Sequence, residues 1–303
     1  MHVPPGQFNP DSQGEKTVSN KADITVSYDV SNDFFRLWLD ERMNYTSANF
    51  DDGPNGPTES LEIAQMNKLA ILYDYAHLRP DMRVLDIGCG WGANLQYLSA
   101  DRGVRDVHGI TLSDAQHQEI LRRRLPNVVA SVCDYRTYEP SVKFDALISI
   151  CMLEHTATPA QVRAGEHIGV YRDYFRRAHR WTQPGAYFAL QTILRNSIPR
   201  NRKDIEDMAH ITYTMFPGGF AVRLSEVMES ASRYWEVVEV KTRRLDYLRT
   251  CAQWLERLRG HEQRIRDRFG ERIFEEYDRY LSACVTAFEK NYVSLAQYSL
   301  KRI

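Results

Sequence analysis

The chain has 303 residues, 43% hydrophobic and 26% charged, enough to bury a real core in one large domain or a domain carrying insertions. Lys and Arg number 39 against 40 Asp and Glu, a net charge of −1, which lacks the basic excess of a nucleic-acid partner. Five scattered cysteines (Cys89, Cys133, Cys151, Cys251, Cys284) form neither a disulfide framework nor a metal pattern, so no metal is expected.

Residues 1–20 are rich in Gly, Pro, Ser, Asn and charge and are expected to be a disordered tail, with 21–303 forming a single domain. This N-terminus lacks the apolar core of a signal peptide, and no apolar run is long enough to span a bilayer. A cytoplasmic location is therefore expected. The pattern changes at Tyr28. In "SNDFFRLWLDERM" the apolar residues Phe34, Phe35, Leu37, Trp38 and Leu39 follow a helix N-cap at Asn32 or Asp33. "SANFDDGPNGPTES" is a loop full of breakers. A helix over "LEIAQMNKLAILYDYA" gathers Leu61, Ile63, Ala64, Leu69 and Leu72 on one face. Residues 21–80 are thus expected to form a helical N-terminal lid.

The next stretch is the most regular. "MRVLDIG" reads as a buried strand ending in glycines, with a helix starting near Trp91. "DVHGITLS" is a strand, "DAQHQEILRRRL" a helix, and "VVASVCD" and "KFDALISICML" are strands. "GEHIGVYRDYFRRAHRW" is a helix and "GAYFALQTIL" a fifth strand. Strand and helix alternate, which predicts a parallel sheet covered on both faces. The order breaks after Ile193. Residues 196–232 read as an inserted cap, aperiodic up to Val222 and helical over "LSEVMESASRYW". "EVVEVKT" is a strand, 246–290 a second helical cap insertion with Arg and Glu at spacings of three and four, and "YVSLAQYSLKR" a last strand.

The sharpest motif is "VLDIGCGWG", Val84 to Gly92. Gly88, Gly90 and Gly92 follow a strand and open a helix, where they let the backbone turn sharply and approach a ligand. Asp86 stands just before the turn, where a carboxylate meets polar or cationic groups. The glycine spacing of two and two departs from the two-and-three spacing of dinucleotide loops. It matches the D-x-G-x-G pattern of class I methyltransferases, which predicts an α/β Rossmann-like fold binding S-adenosylmethionine. The second strand of such folds usually ends in a ribose-binding acid. Here "GITLSDAQ" offers Thr111, Leu112, Ser113, Asp114 and Gln116, so hydroxyl, amide and backbone groups are expected to replace it. "CDYR" supplies Asp134, Tyr135 and Arg136 for the adenine.

Taken in order, "YDVSNDFFRLWLD", "NYTSANF", "AQMNK", "MRVLDIGCGWG", "GITLSDAQ", "SICMLEH", "FPGG", "DYLRTCAQW" and "YLSACVTAFEKNY" make the chain resemble the cyclopropane-fatty-acid and mycolic acid cyclopropane synthases from Tyr28 to the C-terminus. The resemblance implies methyl transfer from S-adenosylmethionine to an alkene carbon. The resulting carbocation then loses a proton to close a cyclopropane, with a bicarbonate ion held nearby as base. Relatives instead make methyl branches or oxygenated products, and related plant enzymes methylate amines. Glu154, the backbone of Ile193 and Tyr247 match the family's bicarbonate site. Ser47 and Gln191 stand where the family has cysteine and histidine; they can donate hydrogen bonds but cannot change charge near neutral pH as imidazole does. His155 is a second candidate base, and Cys284 matches a cysteine of the family's C-terminal helix. With this resemblance the cofactor set is Tyr45, Thr46, Asp86, Gly88, Cys89, Gly90, Trp91, Gly92, Thr111, Leu112, Ser113, Gln116, Tyr135 and Arg136.

A sulfonium methyl is already activated, so its transfer needs alignment and exclusion of water more than acid catalysis. Aromatic faces stabilise a developing cation by roughly 0.5–2 kcal/mol each. The expected lids carry Phe34, Phe35, Trp38, Tyr45, Phe50, Tyr213 and Phe216, a few of which are expected to line the pocket and the rest to be core. The leading reading is carbon methylation of a small-molecule or acyl-type hydrophobic substrate. The alternative is a small-amine N-methyltransferase, against which stands Cys151 in place of a glutamate found in plant relatives. A non-enzymatic binding protein is disfavoured by the intact glycine loop and Asp86. No polybasic amphipathic helix that would anchor a membrane is evident, and oligomeric state is not legible.

Overall fold

The computed structural model describes residues 31–50 and 60–303. The expected tail over 1–20, Tyr28, and most of the breaker loop (51–59) lie outside the described residues.

Seven strands form one sheet: β1 (Arg83–Ile87), β2 (Asp106–Thr111), β3 (Val128–Val132), β4 (Phe144–Ile150), β5 (Thr182–Arg195), β6 (Trp235–Thr242) and β7 (Val293–Arg302). Their order is β3-β2-β1-β4-β5-β7-β6. Neighbours from β3 to β5 are parallel, as the βα alternation predicts. The expectation of a parallel sheet fails at β7, which runs antiparallel to both β5 and β6. A strand that follows a helical hairpin rather than a right-handed crossover is free to enter in the opposite direction.

Alternate side chains reach opposite faces of the sheet. Leu85, Ile87 and Leu147 join one apolar layer, and Val84, Ala146 and Ile148 the other. Eleven helices surround or extend this sheet among the described residues. α1 (Asn32–Phe35) precedes α2 (Leu61–Tyr75), α3 (Ala93–Gln96, extended by a π-turn over 97–101) and α4 (Asp114–Arg123). Then come α5 (Pro159–Ala164), α6 (His167–Arg180), α7 (Arg202–His210, extended by a π-turn over 211–215) and α8 (Leu224–Ala231). The last three are α9 (Arg244–Gly260), α10 (Glu262–Phe269) and α11 (Glu271–Glu289). Helices α6 and α8 cover one face, burying Tyr171, Tyr174, Phe175 and Val227. Helices α2, α3 and α4 cover the other with Leu69, Leu72, Leu95 and Ile120. No helix among the described residues is long and apolar enough to cross a membrane.

Several local expectations are corrected. The helix expected over "SNDFFRLWLDERM" is a single turn whose N-cap is Ser31, not Asn32 or Asp33. Past it the N–H groups of Leu37 and Trp38 bond back to the Phe34 and Phe35 carbonyls in tight turns, and further on Asp40 captures the backbone N–H groups of Arg42 (3.1 Å) and Asn44 (2.7 Å) and the Asn44 amide (2.8 Å), while Met43 turns to φ +61°. The helix after the glycine turn starts at Ala93 rather than Trp91. In α2 the N-cap Ser60 accepts from the Ile63 N–H, but the Ile63 side chain is 52% exposed. The buried face carries Leu61, Ala64, Gln65, Lys68, Leu69 and Leu72 instead. The aperiodic stretch after Asn196 contains α7, too short to show a full repeat, and α5 was not anticipated.

A third apolar cluster fastens the N-terminal segment to α9, α10 and α11. Phe34, Phe35 and Trp38 are fully buried, with Phe34 edge-on to Tyr277 at 4.6 Å and Trp38 edge-on to Trp254 at 5.9 Å. The strap over residues 44–50 is then threaded between α2 and α9. Asn49 N–H donates to the Ala64 carbonyl (2.9 Å), Ala48 N–H to Thr250 Oγ1 (3.0 Å) and Phe50 N–H to Asp246 Oδ1 (3.1 Å).

Gly109 in β2 marks where α3 and the glycine turn press onto the sheet. A Cβ there would lie 2.8 Å from both Cys89 Sγ and Leu95 Cδ1. Gly109→Ala is expected to cost about 1–3 kcal/mol of stability by overpacking, read as a lower midpoint in urea denaturation with an unchanged m-value.

Candidate active site

Strand order reverses direction between β1 and β4, and ligands of open α/β sheets bind at the carboxyl ends of such strands. A cavity of about 290 Å³ opens there. Its walls are the glycine turn after β1, the ends of β2 and β4, the strap, α7 with its π-turn, and α9 and α11.

At the turn, Gly88 has φ +82°, and a Cβ on it would stand 2.8 Å from Met152 Cγ. Only glycine fits this left-handed, closely packed position. Asp86 is fully buried. One carboxylate oxygen accepts from Asn94 Nδ2 at 3.0 Å, and the other, Oδ1, is without a partner. Burial pushes its pKa up to about 7, against the pull of Asn94 and Lys68. The unpartnered oxygen on a cavity-lining side chain suits a ligand ammonium or hydroxyl donor.

The second strand ends without an acid, as read. Thr111 Oγ1 donates to Gln116 Oε1 (2.8 Å) and accepts from the Ser113 N–H (3.2 Å), while Ser113 caps α4. Arg136 is paired with Asp134, its Nε donating to the carboxylate at 2.9 Å, and Tyr135 lines the cavity beside them. Trp91 donates through Nε1 to Asn32 Oδ1 at 2.8 Å, tying the turn to α1.

Across the cavity, Glu154 follows β4 in a 3-10 turn. Thr192 Oγ1 donates to its Oε2 at 2.6 Å and Ile193 N–H to its Oε1 at 3.3 Å. Burial nevertheless pushes its pKa up to about 7, these donors and Cys151 opposing the rise. His155 is half-buried beside Gly219, and desolvation pushes its imidazole down to about 4, so it is neutral and weakly basic. Tyr247 lines the same wall with its ring 4.4 Å from Phe288; burial pushes its phenol well above the ordinary value.

The cavity therefore brings together Tyr45, Thr46, Asp86, Gly88, Cys89, Gly90, Trp91, Thr111, Leu112, Gln116, Tyr135, Arg136, Glu154, His155, Tyr247 and Cys284. Ser47, Gly92, Ser113 and Gln191 are not on its wall. Gly92 caps α3 and Ser113 caps α4. Ser47 donates to the Ala48 carbonyl at 2.9 Å, and Gln191 sits behind the wall between Cys151 and Gln297. Of the aromatic residues expected on the lids, Tyr45 and Phe216 line the cavity; Phe34, Phe35, Trp38 and Phe50 are core, and Tyr213 is 57% exposed.

The reading of the sequence missed Lys68. It is fully buried in the cavity wall, with Nζ donating to Asn44 Oδ1 (2.9 Å) and Thr46 Oγ1 (3.1 Å). Burial pushes its pKa down to about 8 against the attraction of Asp40, Cys151 and Asp86. Its spacing of four from both Ala64 and Leu72 was the available signal, because it puts the lysine on the apolar face of α2. Asn94, Cys151 and the apolar residues Ile193, Met208, Ile211, Phe288 and Val293 also stand on the wall.

A family model described as mycolic acid cyclopropane synthetase matches residues 15–298. The cyclopropane-fatty-acyl-phospholipid synthase of Escherichia coli (strain K12) is 30% identical over 277 residues, covering 91% of this chain and 66% of the relative, just under two thirds of its length. Among solved structures, the cyclopropane synthase MmaA2 from Mycobacterium tuberculosis has a TM-score of 0.84 at 26% identity, covering 95% of this chain and 100% of the other. The mycolic acid cyclopropane synthase CmaA1, complexed with SAH and CTAB, has a TM-score of 0.83 at 25% identity with the same coverage.

Because the folded state holds a proton on Glu154 up to about pH 7, whereas an ordinary glutamate releases it near 4.5, this group's contribution to stability falls as pH rises between those values. Glu154→Gln is expected to flatten the fall of unfolding free energy across that window in urea titrations; parallel slopes for variant and parent would contradict the burial described.

Proposed function

The chain belongs to the mycolic acid cyclopropane synthetase family, and on that premise we propose that it transfers a methyl group from S-adenosylmethionine to an alkene carbon of a lipid-like substrate. The observation that carries this reading is one cavity in which the glycine turn and the unpartnered Asp86 oxygen meet an apolar lobe. The donor supplies a methyl group activated by its sulfonium charge. That the similar CmaA1 was solved in complex with SAH and CTAB supports this reading.

In this reading Asp86 Oδ1 accepts a hydrogen bond from the amino or hydroxyl groups of the donor, and the turn from Gly88 to Gly90 lies against it. Tyr135 and Arg136 flank the adenine. Tyr45 and Thr46 close over it from the strap, held by Lys68 through Thr46 Oγ1 and Asn44. Helix α7 with its π-turn, α9 and α11 act as the cap over the acceptor. Met208, Ile211, Phe288 and Val293 keep water from the alkene, so that a carbocation is not trapped. The rings of Tyr45, Phe216, Tyr247 and Tyr280 surround the same space, and such faces stabilise a cation by roughly 0.5–2 kcal/mol each. The methylated product leaves through the cap.

The direct test uses methyl-labelled S-adenosylmethionine with vesicles of unsaturated phospholipid and with free unsaturated acyl chains, followed by mass spectrometry. Label bound to carbon is the expected result. Label found only on nitrogen in a parallel panel of small amines would replace this reading with N-methylation. Asp86→Asn removes the charged acceptor and is expected to weaken binding of S-adenosylhomocysteine about 10- to 100-fold, measured by calorimetry.

A further inference from the structure

The loop after β3 folds on itself around Asp134. The Asp134 carbonyl accepts from the Thr137 N–H (3.0 Å), the Tyr138 N–H (3.0 Å) and the Thr137 hydroxyl (3.2 Å). Its carboxylate accepts from the Arg136 N–H and from Arg136 Nε, both at 2.9 Å. At the start of the loop the Cys133 N–H joins the Thr111 carbonyl at 2.9 Å. These bonds give the loop its shape but leave its far side, which carries Tyr135 and Arg136 on the cavity wall, to be placed by something else.

Helix α6 reaches that far side from behind. Arg177 Nη1 donates to the backbone carbonyl of Arg136 at 2.6 Å. Arg177 is itself aimed by Asp173, one turn earlier, whose carboxylate accepts from Arg177 Nε at 2.7 Å and from Arg176 Nε at 3.1 Å. A guanidinium is planar, so a carboxylate that grips one edge fixes the direction of the remaining N–H groups. Tyr174 lies on the same helix with its ring T-shaped to Tyr135 at 5.3 Å. Its hydroxyl donates to Ser149 Oγ (2.8 Å), which donates to the Ile87 carbonyl (3.2 Å), the last residue before the glycine turn. Asp173, Tyr174 and Arg177 are absent from the cavity wall, so whatever they do for a ligand they do through the loop and the turn.

We infer that Arg177 is a positioning residue of the donor site: by holding the Arg136 carbonyl from behind the sheet it fixes where Tyr135 and Arg136 stand, and Asp173 acts through it. The inference rests on the reading above that this loop flanks the adenine of S-adenosylmethionine. A loop without this bond spends part of its time elsewhere, and apparent affinity falls by the fraction of time the binding position is lost. Arg177 and Asp173 are both partly exposed, with side-chain exposures of 20% and 35%, so their replacement opens no cavity in the core.

The test uses the full chain with S-adenosylhomocysteine as the probe. Calorimetry gives the dissociation constant, and the unfolding midpoint of each variant is measured beside it. Arg177→Met keeps the bulk of the side chain and removes its donors; the dissociation constant is expected to rise about 10-fold. Arg177→Lys keeps a charged donor and is expected to recover much of that loss. Asp173→Asn is expected to weaken binding by a smaller factor, and to add nothing in an Arg177→Met background. An unchanged dissociation constant in Arg177→Met overturns the assignment while leaving the donor site standing. Equal losses in Arg177→Met and Arg177→Lys, or losses that simply follow the unfolding midpoint, also overturn it. Effects of Asp173→Asn that add in full to those of Arg177→Met overturn the relay through Asp173. A parent chain that does not bind S-adenosylhomocysteine overturns the proposed function, and this inference with it.

Discussion

Holding ionisable groups out of water at the carboxyl ends of β1 and β4 is the constraint to which the rest of the molecule answers. Asp86, Lys68 and Glu154 are all fully buried, and burial moves each toward its neutral form. An isolated charge in such a place is costly, and it becomes tolerable only when hydrogen bonds or an opposite charge replace the lost water. Asp40 and Asp86 attract Lys68, and Asn44 and Thr46 receive its hydrogen bonds. The strap is thereby fixed to α2 by the same ammonium that neutralises its surroundings. The aromatic cluster of Phe34, Phe35 and Trp38 against Tyr277 and Trp254 supplies the apolar shield on the far side.

What could be read from the sequence follows from which interactions are local. The strands of the parallel half announce themselves by apolar runs and glycine stops, and the turn from Gly88 to Gly92 by its need for left-handed backbone. The glycine-turn side of the cavity was legible for that reason: Asp86, Thr111, Gln116 and Tyr135 hang on elements whose ends are marked in sequence. The opposite side was not. Its walls come from α7, α9 and α11, brought together only by tertiary packing, and α7 is too short to declare a period. Lys68 was overlooked because a lysine in a helix is usually read as solvated, although Leu61, Ala64, Leu69 and Leu72 surround its position.

The two departures from the resembled family, Ser47 and Gln191, also acquire a physical meaning in three dimensions. Neither faces the cavity. Gln191 and Gln297 are direct partners across the β5–β7 ladder, and Asn49 extends the pair into the strap. A fully buried amide network of this kind is stable only when every member finds a partner. The register of β7 and the seat of the strap are therefore linked through three side chains that a sequence comparison treats as independent positions.

The placement of β7 between β5 and β6 bears on biogenesis as much as on architecture. Both flanking strands leave the ribosome well before the segment that joins them, and in between come α9, α10 and α11. At about 5–20 residues per second of synthesis, β5 presents a bare edge for several seconds while the nascent chain grows. Unpaired edges of this kind invite association with other chains. Pairing of residues 293–302 with both strands joins β6 to the rest of the sheet and covers the bare edge of β5.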